Sequence, residues 1–288
     1  MTSWADWRAG ARPKTLPAAI APVLVGTGVA APQVNIVRAL LALLVALALQ
    51  VGVNFANDYS DGIKGSDSNR VGPKRLVGSG AATPRAVRNA ALLSFLIAAT
   101  AGLILALQTS LWLILVGAIA ILAAWGYTGG ARPYGYRALG EVSVFIFFGI
   151  VAVVGTAYVQ TESFSWWGLL SAVPMGSLAC AILITNNLRD LPEDAKSGKQ
   201  TLAVKIGDTS TRRLYIFLLF VAFISVAGLS YWRSASVITL TAGIFAITPM
   251  RTILSGAKGL DLIPVLTDTS KILMAFSVFL TFGLTISS

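Results

Sequence analysis

Long stretches without any charged side chain dominate this sequence of 288 residues. Because a helix needs about 20 apolar residues to cross a bilayer, each stretch predicts one membrane-spanning helix, except the longest, which must hold two. The stretches are 15–37, 39–57, 89–131, 142–161, 163–188, 214–232, 234–250 and 272–288. We therefore predict an all-α polytopic membrane protein with nine transmembrane helices, forming a single domain over residues 1–288.

The composition excludes several kinds of site. Hydrophobic residues make up 56% of the chain and charged residues only 12%, which is far from an ordinary soluble domain. The chain has no histidine, so it cannot use a histidine base or histidine-ligated zinc or haem. Its single cysteine, Cys180, excludes an intrachain disulfide.

The basic residues predict the orientation. If the N-terminus is cytoplasmic, nine spans place 20 of the 22 Lys and Arg side chains inside, and only Arg38 and Arg233 outside. This asymmetry follows the positive-inside rule. We expect a multi-pass protein of the cell membrane whose site faces the cytoplasm, and we interpret the net charge of +10 as a membrane signal, without a nucleic-acid partner.

Two acidic motifs stand at the cytoplasmic ends of the second and sixth predicted spans. A spacing of four residues places Asn57 and Asp61 on one helical face, and likewise Asn186, Asp190 and Asp194. Stacked carboxylates repel one another unless a cation lies between them. Their oxygens suit Mg²⁺, which takes one or two carboxylates and completes its shell with water and substrate phosphate.

Basic side chains in the same loops could bind a phosphorylated ligand. They are Lys64, Arg70, Lys74, Arg75, Arg189, Lys196 and Lys199. A lone acidic cluster after a span is commonly just a solvated loop, but two clusters that share the Asn-x-x-x-Asp pattern favour a site, with only Glu193 expected to face solvent. Metal-binding carboxylates beside basic loops at a membrane edge predict a site for a lipid diphosphate.

These motifs resemble the UbiA superfamily of intramembrane prenyltransferases over nearly the whole chain. The motifs are Ala11-Arg12-Pro13-Lys14, Asn57-Asp58-Tyr59-Ser60-Asp61, Arg70-Val71-Gly72-Pro73, Tyr127-Thr128-Gly129-Gly130 and Asn186-Asn187-Leu188-Arg189-Asp190. Together they look like the branch that prenylates 1,4-dihydroxy-2-naphthoate in menaquinone biosynthesis. The chain departs from the usual first motif at Gly65, where the superfamily has a further aspartate, and Asp67 lies two residues later.

The resemblance implies a UbiA-like bundle that moves a polyprenyl group from polyprenyl diphosphate to 1,4-dihydroxy-2-naphthoate with loss of CO₂, forming demethylmenaquinone. The implied Mg²⁺ ligands are Asn57, Asp61, Asn186, Asp190 and Asp194. The implied diphosphate contacts are Arg12, Lys64, Arg70, Arg75, Arg189 and Lys199. Further expected substrate contacts are Asn54, Asp58 and Asn187. Tyr59, Tyr127 and Tyr134 are candidates to shield the allylic cation, Tyr127 first. The acceptor carboxylate would be met by one of Lys14, Lys74 or Arg132.

Alternative interpretations remain open at this point. The acceptor could instead be 4-hydroxybenzoate, a chlorin or haem, and an ion-coupled transporter would also need carboxylates beside membrane spans. Tyrosines at a membrane interface are commonly anchors, and Arg12 could serve orientation alone. No protein partner is predicted.

Overall fold

A computed structural model describes residues 2–65 and 75–288 of the chain. The secondary structure of these residues is helical, without a β-strand. In chain order the helices are α1 Trp4–Ala11, α2 Pro17–Val29, α3 Ile36–Ile63, α4 Pro84–Gln108, α5 Trp112–Gly126, α6 Gly140–Thr161, α7 Trp166–Lys196, α8 Leu202–Leu229, α9 Ser234–Leu254 and α10 Leu262–Ile286. The predicted all-α fold is confirmed.

Seven of the described helices are long and apolar enough to cross a membrane, namely α3, α4 and α6 to α10. The other two apolar helices, α2 and α5, have only 13 and 15 residues. At a rise of about 1.5 Å per residue, α2 would extend only ~20 Å through a hydrocarbon core of ~30 Å. The chain is therefore a multi-pass membrane protein, while the count of nine spans and the orientation stay predictions.

The two helices that carry the acidic motifs continue well past their apolar stretches. Asn35 caps the start of α3 by accepting a hydrogen bond from the Arg38 backbone N–H. Ser165 caps α7 in the same way, through the Gly168 backbone N–H. α7 also continues beyond Pro192, so both of its motif aspartates lie on one helix. Each motif is therefore presented on a regular helix, with the predicted four-residue phasing.

α7 lies at the centre of the bundle, and most of its residues are buried. Its side chains Met175 and Leu178 pack in one apolar core with Tyr215 of α8 and Phe276 of α10. Large apolar side chains on the outer helices, by contrast, point away from the protein, as Leu122 does with 72% of its surface exposed. This distribution is expected when lipid surrounds the helices, because lipid tails are as apolar as the protein core.

α6 approaches α7 very closely beside the centre of the molecule. A Cβ atom on Gly149 would lie 2.8 Å from the Gly176 Cα atom, so only glycine permits this contact. The same part of α6, Phe145–Val151, is wound as a π-helix. Such widened turns occur frequently at functional sites, and here the widened turn borders the main cavity through Phe147, Phe148 and Val151.

Candidate active site

A cavity of about 380 Å³ lies between α2, α3, α4, α5, α6 and α7. Polar side chains line the end at which α3 and α7 terminate, whereas mainly apolar residues, including Ala, Val, Leu, Gly and Phe, line the remainder. Both acidic motifs open into the polar end. Asn57 and Asp61 enter it from α3, and Asn186, Asp190 and Asp194 enter it from α7. The fold thus brings the five predicted metal ligands to one cavity.

Two of these carboxylates are held by cations. The Arg189 guanidinium donates to both oxygens of Asp190, at 2.7 and 2.8 Å, and both side chains are only 5% exposed. The Lys199 ammonium lies 3.1 Å from Asp61 Oδ2, and the Tyr136 hydroxyl donates to Asp61 Oδ1. In both cases the cation compensates for the cost of burying a carboxylate.

The asparagines of α3 are also fixed by hydrogen bonds. Asn54 Nδ2 donates to the Ala11 carbonyl at 3.0 Å and to Thr15 Oγ1 at 3.1 Å, which ties the segment before α2 to α3. Asn57 Oδ1 accepts from Thr128 Oγ1 at 2.7 Å. Asn54 therefore positions the backbone that carries Arg12, in addition to lining the cavity.

Arg12 is held in an unusual conformation at the cavity. Its backbone φ is +52°, in the left-handed region that non-glycine residues rarely adopt. Its side chain lines the polar end, and its Nη2 atom is buried without a hydrogen-bond partner among the described residues. A buried guanidinium nitrogen with spare donors, aimed into a polar cavity, suits an anionic ligand.

Two tyrosines form one wall of the polar end. The rings of Tyr127 and Tyr134 meet edge to face, with centroids 5.5 Å apart, and both line the cavity. The Tyr134 hydroxyl donates to the Ala123 carbonyl at 2.8 Å and lies 2.9 Å from Ser143 Oγ. Burial raises the pKa of both phenols. They are therefore neutral hydrogen-bonding groups at physiological pH and present aromatic faces to a ligand.

Lys64 binds the loop that follows α5, beside the wall formed by the two tyrosines. Its ammonium group donates to the carbonyls of Thr128 and Gly130, at 2.8 and 3.2 Å, and lies 5.0 Å from the centre of the Tyr136 ring. Partial burial, and then the nearby charge of Lys199, lower its pKa, although Asp61 acts in the opposite direction. Lys64 is not among the cavity-lining residues. The structure therefore favours a role for Lys64 in holding the loop after α5, and not in contacting phosphate.

Several of the remaining predicted site residues do not line the cavity. Asp58 is fully buried and accepts the backbone N–H groups of Leu76 and Val77, at 2.8 and 2.9 Å. That arrangement favours a structural role, in which Asp58 holds Leu76 and Val77 against α3. Lys14 and Arg132 are exposed and do not line the cavity, whereas Arg75 does. Arg70, Lys74 and Asp67 lie outside the described residues.

The sequence matches the UbiA prenyltransferase family over residues 19–257. This chain belongs to that family. It is 52% identical to a protein of Mycobacterium tuberculosis named 1,4-dihydroxy-2-naphthoate octaprenyltransferase. The aligned region of 280 residues covers 96% of each chain. It is 39% identical over 230 residues to the protein of the same name from Escherichia coli, over 77% of this chain and 75% of that one.

Solved structures agree on the fold. A UbiA homolog from Aeropyrum pernix K1 matches with a TM-score of 0.72 and 15% identity, over 96% of this chain and 98% of that one. A UbiA homolog from Archaeoglobus fulgidus bound to GPP and Mg²⁺ matches with a TM-score of 0.71 and 15% identity, over 98% of this chain and 99% of that one. The UbiA bundle predicted from the motifs is therefore confirmed.

The side-chain oxygens at this UbiA site suit a divalent ion that takes its remaining ligands from water and substrate. No three His, Cys, Asp or Glu side chains of the described residues come together as a ready-made metal cluster. The cavity instead offers separated carboxylates and amides, from Asn57 and Asp61 on one helix and Asp190 and Asp194 on another. Mg²⁺ commonly uses one or two carboxylates together with water and phosphate oxygens, so these residues fit it.

Some residues of the UbiA site were missed by sequence reasoning. Tyr136 donates to Asp61 and lies under the Lys199 ammonium, 4.8 Å from it. Thr128 donates to Asn57, and Gln50 Nε2 donates to Thr15 Oγ1 at 3.1 Å. Gln50 could have been predicted from the sequence, because a polar residue inside a membrane span is costly and commonly functional. No sequence pattern pointed to Tyr136, apart from its position two residues after Tyr134.

Proposed function

We propose that this protein transfers a polyprenyl group from its diphosphate to 1,4-dihydroxy-2-naphthoate. The observation that carries the proposal is the identity of about half of all residues, over nearly the whole chain, to relatives that bear this activity in their names. The transporter alternative is set aside, because the family consists of prenyltransferases. The two-part cavity supports the same activity, since a prenyl diphosphate has one strongly anionic end and one long apolar end.

The polar end of the cavity would hold the diphosphate. Arg12, Arg75 and Lys199 line it and carry positive charge toward the phosphate oxygens. Arg189 acts indirectly, because its guanidinium is used to hold Asp190. Asn57, Asp61, Asn186, Asp190 and Asp194 would hold Mg²⁺, which when bound supplies positive charge to the leaving diphosphate.

The apolar part of the cavity would hold the prenyl tail. It extends along α3 from Asp61 to Ala42, a separation of about 28 Å at the α-helical rise of ~1.5 Å per residue. Small side chains such as Gly102, Gly117 and Ala120 leave room along this path. A chain of isoprene units fits such a predominantly apolar channel, because its whole length is hydrocarbon.

The aromatic wall would shield the reacting carbon. When the prenyl C1–O bond breaks, the electron pair leaves with the diphosphate and the allylic carbon becomes positive. The ring faces of Tyr127 and Tyr134 can stabilise that charge without reacting with it. The new C–C bond forms at the ring carbon that carries the carboxylate, and the C–COO⁻ bond breaks at the same carbon, with its electron pair restoring the aromatic ring. The products are CO₂, diphosphate and the prenylated naphthalenediol, the reduced form of demethylmenaquinone.

The proposed setting is the cell membrane, with nine spans and the polar end of the cavity at the cytoplasmic surface. The motif residues lie at the ends of α3 and α7 that the basic segments flank. Arg38 is one of the two basic residues predicted to lie on the outer side. It lies at the other end of α3, where its Nη1 atom pairs with Glu162 at 2.9 Å. The positive-inside rule supports this orientation.

A labelled acceptor tests the proposed function. Purified protein in lipid nanodiscs is supplied with Mg²⁺, a polyprenyl diphosphate and 1,4-dihydroxy-2-naphthoate carrying ¹⁴C in its carboxyl group. We expect labelled CO₂ to appear in step with prenylated product, and 4-hydroxybenzoate to be a poor substitute. A product that retains the label, or product with 4-hydroxybenzoate alone, would overturn the assignment of the acceptor.

A further inference from the structure

A buried carboxylate that no motif includes stands beside the polar end of the cavity. Glu141 is the second residue of α6, and only 8% of its surface is exposed. Its Oε1 atom accepts a hydrogen bond from Asn187 Nδ2 at 2.8 Å, across 46 residues of sequence. Its Oε2 atom is buried and has no hydrogen-bond partner among the described residues. A carboxylate at such a depth is costly to keep, which calls for a function.

The contact determines which way the Asn187 amide points. A side-chain amide carries one oxygen that accepts and one nitrogen that donates. In this structure the Asn187 nitrogen faces Glu141 Oε1 and donates to it, so the amide oxygen points away from Glu141. Its oxygen is left without a hydrogen bond to the described residues, and Asn187 itself lines the cavity. The pair thus presents a hydrogen-bond acceptor, and not a donor, to a ligand.

The surroundings of this oxygen suit a flat aromatic ring. A Cβ atom on Gly140 would lie 3.0 Å from the Tyr127 hydroxyl and 3.4 Å from Leu183 Cδ2, so these three residues are contiguous. Leu183 is one helical turn before Asn187 on α7. The edge-to-face pair of Tyr127 and Tyr134 lines the same cavity as the oriented amide. Aromatic walls with one fixed acceptor are typical of a site for a phenol.

The orientation also discriminates between the two substrates. Phosphate and carboxylate groups carry oxygens that accept hydrogen bonds, so they gain nothing from an amide oxygen and are repelled by its partial charge. A naphthalenediol has two hydroxyl groups that donate. A hydrogen bond from one of them would also increase the electron density of the ring, which must attack the allylic carbon.

We infer that Glu141 is a positioning residue, which holds Asn187 so that its amide oxygen accepts a hydrogen bond from a ring hydroxyl of the aromatic acceptor. The inference rests on the proposed function. It assigns Asn187 to the acceptor, while Arg12 and Lys199 serve the diphosphate.

Analogues that lack one hydroxyl test this assignment. Rates are measured with 1,4-dihydroxy-2-naphthoate, 1-hydroxy-2-naphthoate and 4-hydroxy-2-naphthoate for the wild type and for Glu141→Leu and Asn187→Leu, each of which removes one partner of the hydrogen bond. Removing a hydroxyl also alters the reactivity of the ring, so the quantity to compare is the ratio of kcat/KM values between acceptors. We expect one of these ratios to fall about tenfold in both variants, the effect of one lost hydrogen bond, with the donor KM changed less than about twofold.

The controls separate positioning from folding. Glu193→Gln removes a carboxylate on α7 that does not line the cavity and pairs with Lys196 at the surface, and it should keep all ratios. A purely structural role for Glu141 would lower the rates with every acceptor equally and leave the ratios unchanged, and this result would overturn the inference. The inference would also be overturned if Asn187→Leu showed the same ratios as the wild type. If the wild type forms no product with any of the naphthoates, the proposed function itself fails.

Discussion

At the scale of single residues, two nitrogens of Arg189 hold both carboxylate oxygens of Asp190. Arg189→Lys keeps the charge but cannot form the two parallel hydrogen bonds of a guanidinium. We expect its rate of prenyl transfer to fall at least tenfold. The control is Arg213→Lys on the exposed face of α8, which should retain the wild-type rate. Equal rates in the two variants would contradict a positioning role for Arg189.

The motif aspartates are expected to matter far more than their neighbour Glu193. Asp61→Ala, Asp190→Ala and Asp194→Ala each remove a proposed Mg²⁺ ligand from the cavity, and a loss of several kcal/mol in transition-state stabilisation lowers the rate at least about 100-fold. Glu193→Ala should change it little. The measurement is Mg²⁺-dependent diphosphate release by protein that elutes as a single folded species. Near-normal release by both Asp61→Ala and Asp190→Ala would contradict a site shared by two motifs.

At the scale of helices, the channel between α3, α4 and α5 depends on small side chains. A Cβ atom on Gly117 would meet no atom within 4 Å, and Gly117 lines the cavity. Gly117→Phe should therefore fold and fill the channel. We expect kcat/KM for a donor of eight isoprene units to fall at least tenfold, while a donor of two units is still used.

The matched control for this substitution is Gly228→Phe on α8. Gly228 is equally open, with no atom within 4 Å of an added Cβ, but it does not line the cavity. It should leave the preference between long and short donors unchanged. If Gly117→Phe also leaves that preference unchanged, the prenyl tail does not follow the channel between these helices.

At the scale of the whole molecule, the distribution of charge predicts which surface faces the cytoplasm. Ser163 and Ser197 lie at opposite ends of α7 and are both exposed, and the native Cys180 is buried. In intact cells, a membrane-impermeant thiol reagent should label Ser163→Cys but not Ser197→Cys. Labelling of Ser197→Cys from outside would reverse the orientation and separate the site from diphosphates made in the cytoplasm.

Two properties were determined by the sequence alone, because both are local. The length of an uncharged stretch decides whether a helix can lie in lipid, and spacing by four decides which side chains share a helical face. Hence the helical fold and the placement of the two motifs on α3 and α7 could be predicted, whereas their binding of Mg²⁺ stays a prediction. The length of each helix, by contrast, depends on where the chain leaves the helical conformation. The helices α2 and α5 are shorter than a full membrane span.

Tertiary structure alone decided how the motif residues divide their roles. Asp58 and Asp61 are three residues apart, yet Asp61 lines the cavity while Asp58 holds the backbone N–H groups of Leu76 and Val77. Tyr136 reaches Asp61 across 75 residues of sequence, and Glu141 orients Asn187 across 46. No local pattern encodes such contacts, because they arise only when separate helices pack and each buried polar group must find a partner.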